Sequence, residues 1–361
     1  MLVISVSFCG QTMAQGESIS FLKKIGTKLD SMAVKGVDRR YIDAPERPWQ
    51  IIARGNVNQT IVSMNTEGNI YGVDYSANPY LKTKPSQYVG LWLGYRGYGL
   101  GYTVNVGGDK GMNLTFGATG GSYGINVRIH SFENSTPNFN FSYNLLTMEE
   151  KEAWDDVELT DPIHVRTVLA DGYYMFNGKR FSYSAAYDQS AIQKRSAGSL
   201  MAGFMYNYTR IDYASDSNGD LVYLMDGLGK VKLWQGSVGV GYAYNWVPAR
   251  GWLINVMAMP TLALYNRTTL YDYTIYCYSD KETDEEALED PDAIFEVEDE
   301  TEITTPNKVT WNFDARVALV YNWQRTYLRV FGHFNRFTYG SDITWGRLYD
   351  WKVYAAFGFR F

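Results

Sequence analysis

An alternation of apolar and polar side chains, with a period of two residues, constrains the fold of this chain more than any other feature. In the last segment, Tyr349–Phe361, one face carries only Tyr, Trp, Val, Ala and Phe, whereas the other carries Asp350, Lys352 and Arg360. Successive side chains of a β-strand point to opposite faces, so this period predicts a strand with one apolar face. With varying regularity, the period also predicts strands at 51–63, 69–77, 87–96, 98–106, 112–119, 121–132, 163–177, 179–188, 198–211, 232–246, 252–265, 309–323 and 326–339.

The positions of the aromatic residues indicate what the apolar faces contact. On these faces Trp and Tyr lie near the strand ends, as at Trp234 and Trp246 or Trp311 and Trp323, with Val, Ala and Gly between them. Amphipathic rings concentrate at the two interfaces of a bilayer, and small aliphatic residues face the lipid between them. The sequence therefore predicts an all-β fold, a transmembrane antiparallel up-and-down β-barrel, rather than a soluble sandwich.

The lengths of the connections agree with a barrel in the outer membrane of a Gram-negative bacterium. Such barrels have short turns on the periplasmic side, long loops outside and an even number of strands. We expect 12 to 14 strands, including one at 138–144, with both ends of the barrel in the periplasm. The short connections are 95–99, 177–179, 247–251 and 322–325, and the long ones are 212–229 and 266–307.

The N-terminal region divides into two predicted segments before the barrel, which we assign to 49–361. Residues 1–15 resemble a secretory signal peptide that lacks its basic start. Residues 16–48 form a periplasmic segment with an amphipathic helix at Ser18–Met32, and this segment is a candidate plug for the barrel. Cys9 lies in the leader, so Cys277 alone would remain in a mature chain, which excludes a disulfide framework.

Polar residues on the inward faces of the predicted strands form the candidate site. A lipid-facing Arg or Lys at mid-depth costs about 2–4 kcal/mol, so charged side chains belong in the barrel interior. They form either a ladder of Arg–Asp pairs that fills the barrel, or a polar conduit or pocket for an anionic solute. The predicted lumen-lining residues are Arg54, Arg96, Arg128, Arg180, Asp188, Asp314, Arg316, Arg329, His333 and Lys352, with Asp350 and Arg360 on the same faces.

The stretch DGYYMFNGKRFSYSAAYDQSAIQKRSAGS, Asp171–Ser199, resembles the signature of the DUF4421 family of Bacteroidetes outer-membrane proteins. The resemblance extends from about Tyr41 to Phe361 and implies a barrel, with no established activity. Within it, 189–199 is either a polar periplasmic turn or an anion-binding turn. The matching positions are Tyr173, Tyr174, Phe176, Asn177, Phe181, Ser182, Tyr183, Gln193, Lys194, Arg195, Ser196, Ala197, Gly198 and Ser199.

Two further features leave other functions open. Asp280–Glu302 holds thirteen acidic residues and one Lys, which is typical of a solvated external loop, although carboxylates also suit a divalent-cation site or an adhesion surface. A membrane-embedded hydrolase acting on lipids or envelope material would need one of the three histidines, His130, His164 and His333. None of them has an evident Ser partner, and no G-x-S-x-G motif occurs.

We therefore expect no catalytic residues, no metal and no cofactor. The predicted function is a non-enzymatic narrow channel for small polar or anionic solutes, or a structural component of the envelope. The expected partners are outer-membrane lipid and lipopolysaccharide, together with the outer-membrane assembly machinery, since a terminal Phe361 after alternating aromatics resembles the signal it reads. The pI of about 5.3 argues against nucleic acid as a partner.

Overall fold

A computed structural model describes residues 36–70, 73–77, 80–107, 110–145, 148–154, 158–225, 227–278, 294–305, 307–340 and 344–361. The predicted leader and the predicted helix at Ser18–Met32 lie outside these residues. The strands are β1 (Ile42–Asp43), β2 (Trp49–Ile70), β3 (Val73–Ala77), β4 (Tyr80–Lys82), β5 (Ser86–Tyr95), β6 (Tyr98–Asn105), β7 (Gly111–Thr119), β8 (Tyr123–Asn134), β9 (Asn138–Leu145), β10 (Met148–Trp154), β11 (Ile163–Met175), β12 (Ile192–Gln193), β13 (Ala197–Asp212), β14 (Leu228–Trp246), β15 (Trp252–Tyr278), β16 (Ile294–Thr304), β17 (Thr310–Trp323), β18 (Thr326–Gly340) and β19 (Thr344–Arg360). The helices are α1 (Ser184–Tyr187), a 3₁₀ turn (Asp216–Asn218) and α2 (Gly219–Leu224).

Twelve of the described strands close into an antiparallel barrel, which confirms the predicted fold class and strand number. Neighbours along the ring are neighbours along the chain, and the last strand pairs with the first, as in the register Lys352 opposite Asn58. None of the described helices is long and apolar enough to cross a membrane. The ring consists of β2, β5, β6, β7, β8, β11, β13, β14, β15, β17, β18 and β19.

The two ends of the barrel differ in their connections. At one, the turn end, the backbone N–H of Phe361 donates to the carbonyl of Trp49 at 3.0 Å, so both ends of the barrel sequence meet there. The tight connections 96–97, 247–251 and 324–325 close hairpins at the same end. The opposite end, the loop end, carries the long connections, as the sequence predicts.

The predicted loop 266–307 is wrong in part, because strands continue into it. Strand β15 extends to Tyr278 and pairs with β16, from Thr269 opposite Thr304 to Tyr278 opposite Ile294. This part of β15 is rich in Thr and Tyr, which favour strands, so the two strands pair although the connection between them carries many acidic residues. The predicted strand at 138–144 is confirmed as β9, which pairs with β10 at the loop end.

The wall of the barrel alternates as the sequence predicts, and β17 shows it most plainly. Asp314 and Arg316 are buried on the inward face, whereas Trp311, Val317 and Leu319 are exposed on the outward face. The same alternation holds along β19 from Lys352 to Arg360. The interior of the barrel is therefore polar and its outside is apolar.

Residues 177–196, which we call the inward segment, fold from the turn end into the barrel. The sequence predicts a tight turn at 177–179 and a strand at 179–188. The turn is present within 176–180, but the strand is wrong, since the segment contains α1 in the lumen. Three side chains of this segment are fully buried, those of Phe181, Tyr183 and Gln189. The alternation of Phe181, Tyr183 and Ala185 resembles a strand pattern, but all three side chains are buried inside the barrel.

Residues 36–48 lie against the inward segment at the turn end. Strand β1 pairs with β12, the N–H of Asp38 donates to the carbonyl of Lys179 at 2.8 Å, and Ile42 is buried. Arg40 donates hydrogen bonds to the carboxylate of Asp38 and thereby lowers its pKa to about 2. Residues 16–35 of the predicted plug lie outside the described residues, so a plugging role for them stays a prediction.

Candidate functional site in the barrel lumen

Most of the charged residues predicted to face the lumen do so. The wall contributes Arg54, Arg128, Asp314, Arg316, Arg329, His333 and Lys352, and Asp188 reaches the lumen from the inward segment. Two predictions are wrong. Arg96 lies in the turn between β5 and β6, where its guanidinium donates to the carbonyl of Pro45 at 2.6 Å, and Arg180 lies exposed at the turn end over the ring of Tyr41.

A group of paired charges occupies one side of the lumen. The carboxylate of Asp314 lies 2.5 Å from Nε2 of His333 and accepts a hydrogen bond from the hydroxyl of Tyr173 at 3.0 Å. The guanidinium of Arg316 lies 3.0 Å from the carboxylate of Asp171 and 3.5 Å from that of Asp314. Because buried charges are tolerated only when they are paired, this group is held by mutual neutralisation.

A second group shares one carboxylate between two cations. Asp350 lies 2.9 Å from the guanidinium of Arg128 and 3.3 Å from the ammonium of Lys352. All three side chains are almost wholly buried. The group therefore carries one uncompensated positive charge into the lumen.

Arg54 and Arg329 differ from Arg128, Arg316 and Lys352 because no described carboxylate lies within 4.0 Å of either guanidinium. The same holds for Arg360 nearer the turn end, which donates to the carbonyl of Gln189 and to Asn322. Arg54 donates to Oγ1 of Thr115 at 2.7 Å and lies 5.6 Å from the ring centre of Trp92. Arg329 donates to the carbonyl of Tyr187 in the inward segment. In both, Nε is buried without a hydrogen-bond partner among the described residues. These two side chains add further positive charge that the wall does not neutralise.

The two unpaired guanidiniums line one cavity of about 120 Å³ between the wall and the inward segment. Trp92, Tyr187 and Tyr354 complete its lining beside Arg54 and Arg329. An engineered cavity of about 150 Å³ binds benzene, so a ligand of about five heavy atoms fits here. The surroundings suit a small anion, since Arg presents several donors in a plane.

The inward segment is anchored to the barrel wall on opposite sides. The hydroxyl of Tyr183 accepts from Arg316 at 2.9 Å and from Asn126 at 3.0 Å. The carbonyl of Asp188 accepts from Gln50 at 2.8 Å, and that of Gln189 accepts from Arg360 at 3.1 Å. The hydroxyl of Thr119 also donates a hydrogen bond to the carboxylate of Asp188, and the hydroxyl of Tyr187 donates one to the side-chain oxygen of Asn255.

Several residues of the resemblance motif hold the inward segment in its folded form. The Oε1 atom of Gln193 accepts from the N–H of Ser182 at 2.9 Å and from Asn245 at 3.1 Å. Its Nε2 atom donates to the carbonyls of Arg180 and Arg195 at 2.6 and 2.9 Å. One buried side chain thus joins the two halves of the segment and connects them to β14.

The remaining motif residues lie at the turn end. The side-chain amide of Asn177 donates to the carbonyl of Gly198 at 2.8 Å, and its backbone N–H donates to Oγ of Ser199 at 2.9 Å. Oγ of Ser196 accepts from the backbone N–H of Val247. Tyr174 and Phe176 are exposed on the outward face, Ala197 is half-buried at the start of β13, and Lys194 and Arg195 are exposed at the turn end. These contacts are those of a structural turn.

The three histidines have ordinary partners in the part of the chain that the structure describes. Nε2 of His130 lies 2.9 Å from the hydroxyl of Tyr88, His333 pairs with Asp314, and His164 lies 4.0 Å from Asp161 at the loop end. Among the described residues, no Ser or Thr hydroxyl bonds to a histidine, and no cluster of three metal-ligating side chains occurs.

A family model described as "Domain of unknown function (DUF4421)" matches residues 36–361. No curated protein matches the chain in sequence. Among solved structures, the translocator domain of the autotransporter NalP from Neisseria meningitidis is 9% identical, with a TM-score of 0.33 over 98% of this chain and 100% of that one. An outer membrane channel from Pseudomonas putida F1 is 11% identical, with a TM-score of 0.30 over 90% and 99%. Similarity at this level does not establish a common function.

Proposed function

The chain belongs to the DUF4421 family, and on that premise we propose that it is a non-enzymatic barrel of the outer membrane that passes small anions. The observation that carries this proposal is the cavity between Arg54 and Arg329, two buried guanidiniums without a carboxylate partner among the described residues. The inward segment occupies the lumen beside this cavity and contributes Tyr183, Tyr187 and Asp188 to its lining. Passage would therefore be narrow and would depend on displacement of that segment.

The membrane location rests on the outward face of the barrel. Aromatic pairs lie at the turn end, such as Trp49 with Tyr95 at 4.8 Å and Trp252 with Tyr321 at 4.6 Å between ring centres. Trp311 lies near the loop end of β17, twelve positions before Trp323. At about 3.4 Å per residue and a tilt of about 40°, that separation is about 30 Å, the thickness of a bilayer core.

The preference for anions rests on the balance of charge in the lumen. Five cations line the cavity, Arg54, Arg128, Arg316, Arg329 and Lys352, together with the carboxylates of Asp171 and Asp188. Asp314 and Asp350 pair with three of these cations from outside the lining, so five cations face four carboxylates and one net positive charge is left. An ion loses most of its hydration in so small a space, so the charge of the wall decides which ions enter. A cationic wall attracts anions and repels cations of similar size.

Conductance in planar lipid bilayers tests the proposal. We expect small, anion-selective steps from the native protein, and larger steps when 181–191 is replaced by a Gly–Ser linker of equal length. The double variant Arg54→Gln, Arg329→Gln should lose anion selectivity, measured as the reversal potential in a salt gradient. The matched control is Arg250→Gln, an exposed Arg in a turn-end connection.

Two results would contradict this function. If neither the native protein nor the linker variant conducts, although both keep barrel circular dichroism, the barrel is a structural component of the envelope. If the reversal potential is unchanged in the double variant, the cavity does not select ions. Binding of the assembly machinery at Phe361 is a separate proposal, supported by the outward exposure of that residue at the turn end.

A further inference from the structure

The outward faces of β18 and β19 become charged at the same level of the barrel. On β19, every outward residue from Phe361 to Tyr349 is uncharged, and the next outward residue is Arg347. On β18, the outward residues from Leu328 to Phe334 are uncharged, and the next is Arg336. Two arginines therefore mark the border of the apolar belt on its loop-end side.

The register places these two arginines beside each other. Arg336 lies opposite Tyr349, and Thr338 lies opposite Arg347, so the arginines are diagonal neighbours on one face. Diagonal neighbours in an antiparallel pair are about 7–8 Å apart, within the reach of two long side chains. The guanidinium of Arg347 stacks 4.4 Å from the ring centre of Trp345, which fixes its plane.

Neither arginine is neutralised within the described chain. The Nε atoms of Arg336 and Arg347 are buried without a hydrogen-bond partner, and no described carboxylate lies within 4.0 Å of either side chain. An outward-facing Arg is costly at the bilayer midplane and costs little near the interface. The border of the belt is thus the level at which two such cations are tolerated and can meet an external anion.

We propose that Arg336 and Arg347 bind the phosphate of a phosphorylated lipid in the outer leaflet. The site needs the membrane placement of the proposed function but is independent of the lumen. Arg forms bidentate, charge-assisted hydrogen bonds with phosphate, and two arginines at diagonal positions of adjacent strands can share the oxygens of one group. Tyr349 and Phe334, whose ring centres lie 6.3 Å apart, offer an apolar surface below the phosphate for the attached acyl chains.

Native mass spectrometry of the full chain in detergent, titrated with diphosphoryl lipid A, tests this site. We expect bound lipid A on the native protein and about 30-fold weaker binding in Arg336→Gln, Arg347→Gln, which corresponds to about 2 kcal/mol for the loss of two Arg near an anionic group. The matched control removes the same charge at the turn end with Arg250→Gln, Arg325→Gln, and should bind as the native protein does. Arg336→Lys, Arg347→Lys should bind with intermediate strength, because charge is kept and the bidentate geometry is lost.

Three outcomes would overturn the proposal. Equal binding by the Gln double variant and the native protein would show that these arginines are not the site. Equal binding of lipid A with its phosphates removed would assign the contact to acyl chains. Displacement of lipid A by inorganic phosphate at equal concentration would assign it to free phosphate. Reversal potentials measured on the same Gln variant should stay anion-selective, which separates failure of this site from failure of the lumen proposal.

Discussion

The guanidinium of Arg316 on β17 donates to the hydroxyl of Tyr183 at 2.9 Å, and this bond joins the wall of the barrel to the inward segment. Arg316 is at the same time paired with Asp171 and lies 4.6 Å from the ring centre of Tyr173. The charged residues of the wall and the inward segment are therefore connected through one side chain, Arg316. Loss of this bond should therefore loosen the inward segment.

The first prediction concerns the Tyr183 hydroxyl. Tyr183→Phe removes an acceptor of Arg316 and Asn126, and an unsatisfied buried donor costs about 1–3 kcal/mol. We expect faster hydrogen exchange in 181–191, with the barrel strands unchanged. Tyr206→Phe, at an exposed outward tyrosine, is the control. Native exchange rates in the Tyr183 variant would contradict the anchoring role of the hydroxyl.

The second prediction concerns Gly124 on β8. A Cβ atom at this position would overlap the ring of Tyr183, so Gly124→Ala must displace either the inward segment or β8. Overpacking of this kind costs about 1–3 kcal/mol. We expect a lower denaturation midpoint in urea, read from the heat-modifiable shift of the barrel on a gel. Gly55→Ala is the control, because its Cβ would meet the carbonyl of Tyr88 at an ordinary 3.6 Å; equal midpoints for the two variants would refute the close approach.

The third prediction concerns the carboxylate of Asp314. Asp314→Asn removes the charge that faces His333 and Arg316, and loss of one partner in a buried pair costs about 3–5 kcal/mol. We expect a large loss in the free energy of unfolding measured in urea. Asp161→Asn, at the exposed loop end, should leave that free energy within about 0.5 kcal/mol of the native value. A small effect at Asp314 would mean that the pairs do not stabilise the lumen.

The barrel and the direction of its charged side chains follow from the sequence because both depend on a local period. Asp314 and Arg316 face inward since they alternate with Phe313 and Val317, and no distant contact is needed to infer this. The border arginines Arg336 and Arg347 carried a similar local signal, as the first charges on otherwise apolar faces.

The inward segment could not be predicted in this way. Phe181, Tyr183 and Ala185 alternate as strand residues do, and the sequence alone does not distinguish a lipid-facing ring from one in the lumen. What places them inside is tertiary, namely the hydrogen bonds that Gln50, Arg316 and Arg360 of the wall donate to the inward segment. The absence of a described carboxylate beside Arg54 and Arg329 likewise depends on which residues from distant strands face them, and a local period does not predict this.

The central claim is that one face of each strand contacts lipid while the other encloses a polar interior. Spin labels attached at successive positions of β17, from Arg316 to Val320, test it in reconstituted bilayers by electron paramagnetic resonance. We predict that accessibility to lipid-soluble oxygen is high at Val317 and Leu319 and low at Arg316, Ala318 and Val320. Accessibility without this two-residue period, or low oxygen accessibility at Val317 and Leu319, would contradict the claim.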